Sequence, residues 1–151
     1  MGFLSSLLNQ AEKAINSYTG DKAFLAGVAA AAANITAADG SIDDAEINAA
    51  ISGMLANPIV SASYGASQIE EALNAALTRA KSRAGRMENK RAIEALMTRE
   101  INLRQDVFLI AADVADQDAA NGEKGIGKDE RVVLAEIAKA LNVDDNKLLA
   151  A

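Results

Sequence analysis

Apolar residues recur every three or four positions along nearly the whole chain, the spacing that puts them on one face of an α-helix. Phe3, Leu4, Leu7, Leu8, Ala11, Ala14 and Ile15 form the first stripe, and the Ser17-Tyr18-Thr19-Gly20 turn closes it. A second helix is predicted over residues 21–38, with Leu25, Val28, Ala32 and Ile35 on its face and enough alanine to suit a central position. Asp39-Gly40 ends it, the glycine supplying a left-handed cap. A third helix starts near Asp43 and stops before Asn57-Pro58. Asp43 and Glu46 make a capping box there, and Ile42 and Ile47 a hydrophobic staple.

Ser61 to Gly65 reads as a loop, and Ser67 with Glu70 as a second capping box. The next helix turns Ile69, Leu73, Ala76, Leu77 and Ala80 inward, and Gly85 breaks it. From Met87 to Ala119 the helical pattern hardly pauses. Ile93, Leu96, Met97 and Ile101 fit one stripe, and Val107, Phe108, Ala111 and Val114 the next. So long a run exceeds a normal globular helix, which predicts a break near Arg99 to Asn102. Asp118 to Lys128 is a polar, glycine-rich loop. A last long helix carries Val133, Leu134, Ile137, Ala138 and Leu141; Asn142 ends it, and Asp144 caps a short turn with Leu148 and Leu149. The pattern predicts an all-α chain: one domain over residues 1–151, a compact bundle of about seven helices, with the amphipathic segment 1–20 packed on it.

Composition then narrows the chemistry. The chain has 151 residues and contains neither cysteine nor histidine. Disulfides, thiolate metal sites and the usual general base are therefore excluded. Oxygen ligands remain, which suit calcium, magnesium or manganese; no haem, nucleotide or zinc is expected. No serine sits in a recognisable nucleophile motif, so the chain reads as no enzyme, with no small-molecule substrate. A net charge of −6 argues against nucleic acid. The longest apolar run, Ala23 to Ala33, is too short to span a bilayer, and no basic leader region opens the chain. The expectation is a cytoplasmic protein, with a place beside the inner face of the membrane as a variant of it.

Two stretches share one layout. Ala37-Ala38-Asp39-Gly40-Ser41-Ile42-Asp43-Asp44-Ala45-Glu46 runs from a small-residue helix through an acidic loop and an isoleucine to a glutamate. Ala115-Asp116-Gln117-Asp118, a longer loop and then Ile126-Gly127-Lys128-Asp129-Glu130 repeat the order. Ile42 answers to Ile126 and Glu46 to Glu130, which suggests two related helix–loop–helix halves. On these residues, and on the closing segment Glu136-Ile137-Ala138-Lys139-Ala140-Leu141-Asn142-Val143-Asp144, the chain resembles the TerB tellurite-resistance family over essentially its whole length. The second copy departs from the family pattern: Ala119 follows Asp118 where glycine stands in the first copy, and the loop is longer. The resemblance implies an all-helical fold and a role in tellurite resistance and related stress responses. It also implies a metal-binding or adaptor protein working beside membrane-bound and cytoplasmic partners.

Three features could carry that chemistry. Asp39, Asp43 and Glu46 in the first acidic loop, with Asp116, Asp118 and Glu130 in the second, are candidate ligands for a divalent cation if the halves pack side by side. Asp43, Glu46 and Glu130 are well explained as helix N-terminal residues without any metal. The spacing does not fit an EF-hand: counting from Asp116 puts Asn121 at the glycine position, and counting from Asp118 puts Glu123 there. Gly122 to Asp129 mimics a phosphate-binding loop, but Asp129 stands where a hydroxyl is needed and no strand precedes it. The third feature is charge. Between Arg79 and Arg104 lie eight Lys and Arg against three Glu, a local +5 that leaves −11 for the rest. Arg79, Arg83, Arg86, Lys90 and Arg91 are therefore candidates to dock an acidic protein partner or a membrane-associated complex. No aromatic residue interleaves them to stack on bases.

Overall fold

A computed structural model describes residues 21–119 and 126–150. Among them are eight α-helices and no strand. They are α1 (Lys22–Thr36), α2 (Asp44–Ala56), α3 (Pro58–Ser63), α4 (Ala66–Ala80), α5 (Arg83–Glu94), α6 (Ile101–Ala119), α7 (Lys128–Leu141) and α8 (Asp145–Leu149). The all-α expectation is met. The amphipathic segment 1–20 lies outside the described residues.

α1 is the axis of the bundle. Phe24, Val28, the five alanines Ala29 to Ala33 and Ile35 are at most 1% exposed, and α2, α4, α5, α6 and α7 all pack on the helix. A helix enclosed on every side has no polar face and needs short side chains, so that its neighbours can approach. Gly27 carries this furthest, since a Cβ there would collide with the Leu96 side chain. Phe24 and Phe108 are the largest fully buried side chains, and Tyr64 stacks on Phe24 with ring centroids 6.5 Å apart.

Polar contacts fix the ends of this axis. Asp21 caps α1, accepting from the Phe24 N–H at 3.1 Å. The same carboxylate pairs with Arg99 at 2.6 Å, and the Tyr64 hydroxyl donates to the Asp21 carbonyl at 2.6 Å. Burial pushes the Asp21 carboxyl up, but the hydrogen bonds from Arg99 and Phe24 and the Arg99 charge outweigh it and hold the group below the usual carboxylate range. Burial and the nearby Asp21 charge push the Tyr64 phenol up to about 12. Further along, Asn89 is fully buried and ties three helices together. Its amide donates to Asn34 Oδ1 on α1 and to the Ala76 carbonyl on α4, each at 3.0 Å, and its oxygen accepts from Arg79 Nε at 2.8 Å.

Several local expectations are corrected. α1 ends at Thr36 with Ala37 as its C-cap, and Gly40, whose φ is +89°, belongs to the following turn. Ser61 to Ser63 are not loop but the end of α3: Asn57 caps it through the Ile59 and Val60 N–H groups, Pro58 opens it, and Val60 is buried. The cap of α4 is Gly65, whose N–H donates to Gln68 Oε1 at 3.0 Å, while Ser67 lies inside the helix. Gly85 does not end α4; Ser82 caps α5, and Gly85 is its third residue, donating to Ser82 Oγ. A side chain at Gly85 would run into the Arg79 backbone, so the glycine marks a close approach of α5 to the end of α4. The break between α5 and α6 spans residues 95–100, slightly ahead of the expected place. Met97 and Ile101 sit at that break and are 42% and 44% exposed rather than in the core stripe. Asp118 lies in α6, not in a loop.

Two stability tests follow. Gly85→Ala is expected to cost about 3 kcal/mol or more in urea denaturation, against no more than about 1 kcal/mol, the ordinary helix-propensity cost, for Ala84→Gly on the exposed side. The folded pKa of Asp21 lies below its ordinary value, so its contribution is full above pH 3.8 and is lost as pH falls through the lowered value. Wild type is therefore expected to lose stability below about pH 4 more steeply than Asp21→Asn; parallel curves would show that the Arg99 pair contributes nothing.

Candidate functional site

Of the eight basic residues from Arg79 to Arg104, three are engaged within the fold and three line a groove. Arg79 is engaged with Asn89, Arg99 with Asp21, and Arg104 donates to the carbonyls of Leu141 and Asn142 at the end of α7. These three hold helices together, and Arg104 meets the negative end of the α7 dipole. Arg83, Arg86 and Lys90 instead line an open groove of about 520 Å³. Arg91 is exposed on α5 but lies off the groove.

Two helix stripes form the groove walls. From α5 come Arg83, Arg86, Met87 and Lys90; from α7 come Val133, Glu136, Ile137 and Ala140. Each set has the spacing i, i+3, i+4, i+7, which keeps it on one face. Asn34, Ala37 and Ala38 at the end of α1 also line the groove. Lys139 adds a fourth cation from α7, so four cations meet the single anion Glu136. None of the four forms an ion pair among the described residues. Arg86 is partly committed, donating to the Ala80 carbonyl at 2.9 Å. Met87 is 48% exposed and shares the groove lining with Ile93, Val133 and Ile137. Sequence reasoning found the α5 wall through its charge and missed the α7 wall. The signal was present in Val133 and Ile137, which read only as core.

The acidic candidates converge in part. A cavity of about 170 Å³ is lined by Ile35, Thr36, Asp39 and Glu46 from the first half, and by Gly127, Lys128, Asp129 and Glu130 from the second. The two helix starts are built alike. Ile42 and Ile126 each precede the cap, and Glu46 and Glu130 each occupy the third helical position. Asp43 accepts from the Glu46 N–H at 2.8 Å, whereas in the second copy the Gly127 N–H donates to Glu130 Oε1 at 3.2 Å. Asp43 is thus a capping residue, exposed and away from the cavity lining. Asp39 lines the cavity while accepting from the Ser41 N–H and hydroxyl. Asp116 is exposed on α6 outside the lining, where its charge, after burial, helps push the Asp113 carboxyl up. The Asp118 side chain and the loop 120–125, with the first half of the phosphate-loop mimic, lie outside the described residues. Among the described residues no three carboxylates are grouped so that they could hold a metal ion. Lys128 on the cavity lining partly offsets the acidic charge.

No described helix is long and apolar enough to cross a membrane. Set against known proteins, the chain matches no family model, no curated protein and no solved structure.

Proposed function

We propose that this chain is a non-enzymatic adaptor domain of the TerB-like kind, serving tellurite resistance and related stress responses by docking an acidic protein partner between α5 and α7. The observation that carries the reading is the groove itself. Four cations without ion-pair partners among the described residues surround an apolar strip, in a chain whose net charge is −6. Long basic side chains at a rim steer and select a partner of opposite charge, and exposed methionine suits an adaptable contact surface. The groove offers no histidine, cysteine or serine for covalent or general-base chemistry. A partner in a membrane-associated complex would bring this cytoplasmic domain to the inner face of the membrane.

The test is complementation of tellurite survival in cells lacking this chain. Wild type is expected to restore survival, and Arg83→Glu/Lys90→Glu to lose it about tenfold at unchanged thermal stability. Equal protection by the stable double variant, or none by wild type, would overturn the reading.

A second reading, cation binding, would draw on the cavity lined by Asp39 in the turn after α1 and by Glu46, Asp129 and Glu130 at the starts of α2 and α7, a shared lining in which, among the described residues, no three carboxylates are grouped as ligands. Titrating calcium, magnesium and manganese into metal-free protein is then expected to perturb the backbone amides of these four residues together and saturably. No change at millimolar cation would leave helix capping as their role.

A further inference from the structure

The groove's shape defines what kind of acidic partner it takes. We infer that the occupant is an acidic amphipathic α-helix, laid along the trough between α5 and α7; this rests on the docking reading above.

Each wall spans seven residue steps, from Arg83 to Lys90 and from Val133 to Ala140, or about 10 Å at 1.5 Å per residue. Two walls of two turns each, on helices that pack against one another, leave a furrow matched to two turns of a third helix. An extended strand would need an open sheet edge to bond with, and the described residues hold no strand. Ala37 and Ala38 keep the end of the furrow at α1 shallow-sided, so a helix can approach closely.

Charge and apolar surface are arranged in register with such a ligand. Met87 and Val133 offer a strip for apolar residues at i, i+3 or i+4, and i+7. Arg83 and Lys90, two turns apart on α5, reach carboxylates on one flank, and Lys139 on α7 reaches the other. A flat anionic bilayer would meet the rim charges but leave the apolar strip of a concave furrow uncovered. Single-stranded nucleic acid would find no aromatic side chain in the lining to stack on.

The test uses the full chain, isotope-labelled, and three synthetic probes. One is a helical peptide of about 14 residues with leucine at i, i+4 and i+7 and Glu or Asp elsewhere. The second has the same composition with two central prolines. The third replaces every acid with lysine. Vesicles of phosphatidylglycerol and phosphatidylcholine form a separate arm. The expected result is saturable binding of the first peptide alone, with amide shifts at Met87, Val133 and Ile137. Arg83→Glu/Lys90→Glu should weaken it about tenfold, while Arg91→Glu, off the groove, changes it less than about threefold. Equal binding by the proline peptide would overturn the helical occupant and leave the groove's docking role standing. Shifts at the groove with vesicles but not with the acidic helix would overturn it in favour of a membrane surface. Silence from all probes at millimolar peptide would overturn the helical occupant; if Arg83→Glu/Lys90→Glu still lost tellurite protection the docking reading would stand, and if it kept full protection both would fall.

Discussion

Everything in this fold leans on a helix that is buried almost all the way round beyond its first turn. α1 is enclosed by five other helices, and Ala29 to Ala33 are fully buried around its whole circumference. A run of alanine gives little hydrophobic free energy per residue, because each side chain carries one methyl group. Its value is geometric. It brings the neighbouring helices close enough for their larger side chains, Ile69, Leu73, Ile93, Leu96, Phe108 and Leu134, to meet across and between the turns of α1. The cost is that such an axis is poorly specified by apolar contacts alone.

Polar contacts supply the missing specification. At one end Asp21, Arg99 and Tyr64 join the start of α1 to the turn after α5 and the end of α3. Towards the other end Asn34 and Asn89 join α1 to α4 and α5, with every hydrogen-bonding contact of the buried Asn89 amide directed at a named partner. A buried amide without those partners would be costly, so the network selects one relative placement of three helices. That placement also makes the groove. Asn34 lines it and donates to the Arg86 carbonyl, which holds the α5 wall against α1. The α7 wall is held by Arg104 at its C-terminal end and, through Arg131 and Asp145, by α8. The groove is therefore a product of the core and its polar pins rather than of flexible surface loops.

The helices were legible in the sequence because their apolar period is strong. Ile69, Leu73, Ala76, Leu77 and Ala80 are all buried as the spacing predicts, and Asp43, Asn142 and Asp144 sit at the helix ends their chemistry favours. What misled was local chemistry with two meanings. Glycine signals a break, but Gly85 is needed for close backbone approach, a tertiary demand with no sequence period. Ser67 has the look of a cap, yet the helix begins two residues earlier because Gln68 reaches back to Gly65. The candidate site was legible by half. The charge of Arg83, Arg86 and Lys90 marked one wall, while Arg79, Arg99 and Arg104 carried the same charge into structural roles. Only the packing of α5 on α7 sorts one set from the other. The echo of Ile42 and Glu46 in Ile126 and Glu130 was legible as a pattern, and its meaning as two matched helix starts around one cavity became visible in three dimensions.

The dependence of the whole bundle on α1 is open to direct measurement by native-state hydrogen exchange. Amides of Ala29 to Ala33 should exchange only through global unfolding, with protection equal to the stability from denaturant titration and with the same denaturant dependence. Asn89→Ala should lower the protection of α1, α4 and α5 by one common amount. Exchange of the α1 amides through a smaller opening, while α4 and α6 remain fully protected, would contradict the central role given to this helix.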